Sequence, residues 1–331
     1  MIASVSIANG ETAENRLLKS MQLIQQGDFE KALPQIAKLA KDNQTYQLAH
    51  FMKAELLAIK SGNFELVKKI RRQHRTKSKN LLQEAKVRWQ TPTEQQNELL
   101  LEKYVLKSSK LAHLVIVNTQ TNRLYVYKNT AEGYQQLANY YITIGKRGSG
   151  KEYQGDMKTP IGVYRIEKEL LDKNLTELYG VGALTLSYPN KWDKQKGRTG
   201  SGIWLHGTPR NNFSRSPLAS RGCVVLNNPA MKSLTSQYNL APETPVIIVE
   251  SEPVFAEAGL NEDVEKHTVL AQINDWLIRS SAMKVDWEEV SIFAYPNEKE
   301  LYYVSFIEER DGKKNRVEKY WRKPFNKFAT K

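Results

Sequence analysis

Cysteine is almost absent from this chain of 331 residues: Cys223 stands alone. A single thiol excludes an intramolecular disulfide and any zinc site built from several cysteines. Long apolar runs are missing too. No stretch of eighteen apolar residues exists, so the sequence offers no membrane-spanning helix. The first residues, MIASVSIANGE, lack the basic start and continuous apolar stretch of a secretory signal. They do carry small residues of the kind that precede a cleavage site. Two readings stay open: the stump of a removed signal behind an added Met1, or a cytosolic protein. Acidic residues are the scarcer charge, 36 against 49 basic ones, for a net charge of +13. That excess reads either as a scattered, solvated surface or as complementarity to an anionic partner. No nucleic-acid-binding motif or stacking-aromatic signature accompanies it.

Residues 12–110 read as helical. Leu17, Leu18, Met21, Leu23 and Ile24 form an apolar stripe, Gly27-Asp28-Phe29-Glu30 breaks it, and Ala32, Leu33, Ile36, Leu39 and Ala40 resume at helical spacing. Gly62-Asn63-Phe64-Glu65 repeats the break 35 residues later. This period is close to that of tetratricopeptide-like hairpins, and a plain helical bundle fits equally well. The basic run 68–79 reads as a solvated helix face. Pro92 marks a further helix reaching to about Leu106. From Leu111 the period becomes strand-like. Leu114-Val115-Ile116-Val117 and Arg123-Leu124-Tyr125-Val126-Tyr127 flank a turn, and short strands follow through Val246-Ile247-Ile248-Val249. Many short strands with Gly and Pro turns suggest a sandwich or barrel. After a linker at 251–263, residues 264–280 read as one helix and 287–322 as three strands, with Asn297 and Asp311-Gly312 at the turns. Trp276, Trp287 and Trp321 read as core aromatics. The chain is therefore multidomain: residues 1–11 as a disordered or signal-derived stump, an all-α region at 12–110, a mainly-β centre at 111–250, the linker, and a small α+β unit at 264–331.

Chemistry concentrates around the lone thiol, in Ser220-Arg221-Gly222-Cys223-Val224-Val225-Leu226-Asn227. Glycine before a nucleophile lets the backbone turn sharply and aim successive N–H groups at one point, which suits an oxyanion. His206 ends the apolar strand Ile203-Trp204-Leu205 and precedes a glycine, Gly207. A thiol is mostly protonated at neutral pH, and a neighbouring imidazole can take its proton to form a reactive ion pair. Cys223 as nucleophile and His206 as base are the expected pair.

From Leu114 to Val249 the sequence resembles the catalytic domain of the YkuD family of L,D-transpeptidases and L,D-carboxypeptidases. The matching pieces are Ile203-Trp204-Leu205-His206-Gly207-Thr208, Ser220-Arg221-Gly222-Cys223, the segment Gly155-Asp156-Met157-Lys158-Thr159-Pro160-Ile161-Gly162-Val163-Tyr164 and Gly197-Arg198-Thr199-Gly200. Two departures stand out. Arg221 occupies a position where the family often has histidine, and only thirteen residues separate His206 from Ser220; the 210–218 loop can absorb the shorter gap.

The resemblance implies a β-sandwich-like domain acting on peptidoglycan stem peptides. Cys223 would attack the carbonyl of the third residue, a diamino acid, and expel the terminal D-Ala. The Gly207 carbonyl would orient His206. Gly222, Arg221, Ser220, Trp204 and Asn227 would bind substrate or hold the oxyanion. An amine acceptor makes the protein a transpeptidase; water makes it an L,D-carboxypeptidase; a non-catalytic peptidoglycan-binding scaffold is the third option. No cofactor or metal is implied, and a carbapenem is an expected covalent inhibitor. A periplasmic location with the signal removed follows, as does a protein partner or homodimer through 12–110, with no nucleic acid. The C-terminal unit resembles the nuclear-transport-factor-like (SnoaL-like) cone fold.

Overall fold

The computed structural model describes residues 12–109, 111–251, 261–280, 285–310 and 313–323. The expectations for residues 1–11, for most of the linker and for the Asp311-Gly312 turn lie outside them. Among the described residues no helix is long and apolar enough to cross a membrane.

Six helices come first: α1 (Ala13–Gln25), α2 (Phe29–Asp42), α3 (Gln47–Ser61), α4 (Phe64–Gln73), α5 (Arg75–Trp89) and α6 (Glu94–Tyr104). The two repeated breaks work alike. Gly27 and Gly62 take left-handed backbone, φ 80° and 67°, where a side chain is disfavoured. Asp28 then caps α2 by accepting the Lys31 N–H, and Asn63 caps α4 by accepting that of Leu66. Leu17, Met21, Ile36, Leu39, Leu48 and Met52 form the helical core. α4 buries no side chain; it is α5, through Ala85, that adds to the core. The last helix ends at Tyr104, short of the expected Leu106. Val105 and its neighbours extend instead as β1 (Val105–Lys107), because the unpaired edge of the C-terminal sheet accepts them antiparallel to Ile292 and Phe293.

The centre contains β2 (His113–Asn118), β3 (Arg123–Thr130), β4 (Gly133–Tyr141), β5 (Ile144–Gly145), β6 (Gly162–Leu171), β7 (Gly182–Leu186), α7 (Lys191–Gln195), β8 (Trp204–Gly207), β9 (Leu218–Ser220), β10 (Val224–Leu226), α8 (Asn228–Lys232) and β11 (Pro245–Val249). Eight of these strands make one sheet in the order β10-β8-β7-β6-β11-β2-β3-β4, and β5 pairs with β9 beside it. The sheet curls until its two ends meet, where Thr143, just after β4, bridges Val225 of β10. Alternation along the strands divides the two faces. Val115, Val117, Leu184, Leu205, Val224 and Leu226 pack with Ile144 and Met231 on one. Leu114, Ile116, Tyr125, Val163 and Ile247 pack on the other against Leu100 and Tyr104 of α6 and against Phe293, Tyr295 and Tyr303.

Those last residues belong to the C-terminal unit: α9 (Asn261–Ser280), β12 (Ser291–Ala294), β13 (Leu301–Arg310) and β14 (Lys313–Arg322), with β1 completing its sheet. Trp287, expected to open a strand, sits in a single 3-10 turn before it. Val269, Ile273 and Leu277 of α9 pack on Val304, Phe306 and Trp321, with Trp276 and Trp287 at the margin. This unit is therefore the second layer of the central sheet as well as a unit with its own core.

A buried charge cluster joins the helices to the sheet. Arg88 pairs with Glu14 and, at 3.0 Å, with Glu84, while Arg123 of β3 reaches Glu14 at 3.3 Å. The Arg88 guanidinium also lies 3.8 Å from the Tyr141 ring centre. Removing one partner of such a cluster leaves buried charge uncompensated. Glu14→Ala is expected to destabilise the protein by about 3–5 kcal/mol, read as a lowered urea midpoint. A change below about 1 kcal/mol, the range of exposed pairs, would mean the cluster does not hold the units together.

Candidate active site

The site is built where β10 lies parallel to β8. Val224 pairs with Leu205, Val225 with His206 and Leu226 with Gly207. Ile203, Leu205, Val224 and Leu226 all enter the core on one face, so Trp204, His206 and Val225 point to the other. Cys223 directly precedes β10, two residues from Val225, and shares that face by the same alternation. Thiol and imidazole therefore occupy diagonal positions on adjacent strands. On this face His206 and Val225 are buried, and Trp204 and Cys223 half-buried.

His206 is buried, with 4% exposure. Its Nδ1 lies 2.7 Å from the Gly207 carbonyl oxygen. A carbonyl only accepts, so Nδ1 carries the proton and Nε2 keeps the lone pair. Tyr179 packs edge-on to the ring at 5.0 Å and also meets Trp204 at 4.8 Å. Burial pushes the ring's pKa down to about 4; the Gly207 bond opposes this and the Arg215 charge adds to it. Near neutral pH the imidazole is uncharged.

Cys223 is half-buried, and its Sγ donates to the Gly202 carbonyl at 3.4 Å. Burial raises the thiol's pKa, opposed by the Trp204 backbone N–H and the Lys151 charge. Both shifts favour the neutral partners. The resting pair is therefore thiol and imidazole, and the reactive ion pair forms by proton transfer between them.

The turn before Cys223 is fixed from several sides. Gly222 has φ 124°, and a Cβ there would stand 2.8 Å from the Lys158 carbonyl oxygen. The Gly222 carbonyl accepts from Thr159 Oγ1 at 2.9 Å, and Thr159 Oγ1 accepts the Gly145 N–H at 3.0 Å. The Thr-Pro segment thus ties β5 to the cysteine turn. Ser220 Oγ donates to the Cys223 carbonyl at 2.6 Å and accepts the Gly222 N–H at 3.0 Å. Two expected roles change as a result. Ser220 is a buried brace of the turn, and the Gly222 N–H is already engaged, so it is not a free oxyanion donor. Asn227 changes likewise: its side chain caps α8 by accepting the Ala230 N–H at 2.8 Å. Arg221 is exposed beside the turn, and Trp204 is half-buried against Tyr179.

Lys151 carries no motif that marked it in the sequence, and Asp156 stood in the Thr-Pro segment without an assigned role. The Lys151 ammonium and the Asp156 carboxylate, both buried, are 2.7 Å apart. Burial alone would raise the Asp156 pKa, but Lys151 and the N–H groups of Glu152, Lys158 and Tyr153 hold it at about 2. That carboxylate organises the 146–155 loop. Thr199 links this loop to the 191–200 loop: its N–H donates to the Glu152 carbonyl at 2.9 Å, and its hydroxyl accepts the Gln154 N–H at 3.2 Å. The paired loops are anchored in turn on the C-terminal unit. Trp192 donates to Glu298 at 3.1 Å, and Asn190 to the Tyr295 hydroxyl at 3.0 Å.

Residues 112–248 match the family model of the YkuD L,D-transpeptidase catalytic domain. This segment is similar to YkuD domains. Among curated proteins the chain is 30% identical, over 104 residues, to a protein of Escherichia coli (strain K12) named "Putative L,D-transpeptidase YafK". The match takes in 31% of this chain and spans 37% of that relative's length. Among solved structures, the helical cell shape determining protein Pgp2 of Campylobacter jejuni is 22% identical with a TM-score of 0.47, covering 68% of this chain and 93% of that one. Bd1075 of Bdellovibrio bacteriovorus is 24% identical with a TM-score of 0.48 over the same shares. Within the matched segment, the Thr159 and Gly222 contacts give a direct test. Gly222→Ala adds a Cβ at a strained φ and against a backbone oxygen. We expect a loss of about 1–3 kcal/mol in stability and slower alkylation of Cys223 by iodoacetamide. Unchanged labelling and melting would show that the turn tolerates a side chain.

Proposed function

We propose that the chain is a cysteine acyltransferase acting on peptidoglycan tetrapeptide stems outside the cytoplasm, an L,D-transpeptidase. The observation that supports this reading most is the β8–β10 register, which pairs His206 with Val225, two residues after the lone Cys223, together with the Gly207 carbonyl that anchors the imidazole. The YkuD domain match and the name of the curated relative agree with it.

In the proposed reaction the thiol exchanges the Gly202 carbonyl for His206 Nε2. Nε2 takes the proton as Sγ attacks the carbonyl carbon of the third residue. The bond from that carbon to the D-Ala nitrogen breaks, and His206 gives the proton to the departing amine. The developing oxyanion falls to the Cys223 N–H, with Arg221 beside it. A second amine then attacks the thioester. His206 removes that amine's proton and returns it to the leaving sulfur, so the product is a 3–3 cross-link and the thiol is regenerated. The Gly207 carbonyl keeps the ring in the tautomer both steps require. With water as acceptor the same thioester gives a tripeptide, the L,D-carboxypeptidase outcome.

Cys223→Ala is expected to lower D-Ala release from tetrapeptide muropeptides by roughly 10³-fold or more, measured by mass spectrometry of the products. A variant that still releases D-Ala would sink the assignment, and cross-linked dimers against tripeptides in the wild-type digest separate the two acceptors. The pH profile is a second check. A base lowered to about 4 stays competent well below the ordinary histidine range. The acid limb of kcat/KM is therefore expected near pH 4, and its loss on acidification is the protonation of Nε2. A limb centred near 6.5, the unperturbed histidine value, would contradict a buried base.

A further inference from the structure

The crossover from β8 to β10 carries a cation with no counter-ion. Arg215 is half-buried, and its guanidinium donates to one acceptor, the Ala219 carbonyl, at 2.7 Å. Among the described residues it makes no ion pair. A guanidinium has five N–H donors, so most of this fork is uncommitted. The surroundings hold it rigidly. Its own carbonyl accepts from the Tyr141 hydroxyl at 2.8 Å and from Thr143 Oγ1 at 3.2 Å. Phe213 stacks on Tyr46 at 4.2 Å, and Ser214 donates to Glu84 at 2.6 Å. Thr143 in turn bridges to Val225, the strand partner of His206.

Burial lowers the pKa of Arg215, and no carboxylate offsets that effect. Its charge is felt at His206. A desolvated, preorganised fork of this kind is complementary to a carboxylate, which it can bind with two parallel hydrogen bonds.

We propose that Arg215 is the specificity residue that binds the free C-terminal carboxylate of the leaving D-amino acid. The inference rests on the reaction proposed above and deepens it. In that reaction His206 must protonate the nitrogen of the departing residue. That nitrogen and the carboxylate of the same residue are attached to one Cα. Whatever grips the carboxylate must therefore sit beside the base, on the crossover side of the site. Arg215 stands on that crossover, its charge reaches His206, and among the described residues it has no acidic partner. The arrangement makes the enzyme select stems that end one residue after the scissile bond, since a longer stem puts an amide where the fork requires a carboxylate.

The test compares a tetrapeptide muropeptide with the same compound carrying a C-terminal carboxamide, using the full chain. The wild type is expected to prefer the carboxylate by roughly 10- to 100-fold in kcat/KM, the range for hydrogen bonds to a charged group. Arg215→Ala should collapse that ratio towards one, and Arg215→Lys, which keeps charge without the planar fork, should retain part of it. Calorimetry on Cys223→Ala protein, with and without Arg215→Ala, reads the same loss as weaker tetrapeptide binding and needs no turnover. Melting curves identify a variant that fails to fold, in which case Arg215→Lys decides. A ratio that survives Arg215→Ala, or that collapses in Arg221→Ala instead, overturns the assignment. A wild-type protein that acts on neither substrate overturns the proposed reaction itself.

Discussion

The parallel pairing of β8 with β10 is the constraint from which the rest of the site follows. Parallel neighbours cannot be joined by a tight hairpin; the chain must leave the sheet and return. Here it leaves at Gly207 and returns at Cys223, so the two ends of the crossover are the histidine and the cysteine. A crossover of this length would be mobile if it met only solvent. Phe213 on Tyr46 and Ser214 on Glu84 instead fasten it to the helical region. The helices thereby act on the site without contributing a reacting group to it.

The two flanking regions support opposite sides of the site. The helices hold the crossover through an apolar stack and a buried charge cluster. The C-terminal unit packs on the β2, β3, β6 and β11 part of the same sheet and, through Glu298 and Tyr295, anchors Trp192 and Asn190 at the start of the 191–200 loop. That loop is tied by Thr199 to the 146–155 loop, whose Lys151 charge opposes the burial-driven rise of the thiol pKa. In free-energy terms this is preorganisation: the conformational cost of ordering the loops is met on folding, before any substrate arrives. It also explains why both reacting groups rest uncharged. Packed against low-dielectric neighbours, each is more stable neutral, and the charge separation is deferred to the moment of attack.

Much of this was legible along the chain. The change from a 3.6-residue to a two-residue period near Leu111 located the sheet, and the repeated Gly-Asp/Asn-Phe-Glu breaks located the helix caps, since both signals are local. The lone cysteine after a glycine and the histidine at a strand end marked the candidate pair. The roles of Ser220, Gly222 and Asn227 were not legible. Each has a polar group that could face a substrate or its own backbone, and only the folded turn shows it bonded to backbone. Arg215, Lys151 and Tyr179 carried no signal, because an arginine or a lysine in a loop reads as solvated until its burial is known.

The sequence by itself determined the order of helical, mainly-β and α+β segments, the YkuD resemblance and the identity of the thiol, because these depend on residue type and short-range spacing. The tertiary structure alone decided that β1 leaves the helical region for the C-terminal sheet and that the central sheet curls until its two ends meet. It also decided that thiol and imidazole rest neutral and that Arg215, on the crossover, has no acidic partner among the described residues. Those outcomes depend on which distant segments exclude water from a group, and dielectric environment is a property of the packed chain that no local pattern encodes.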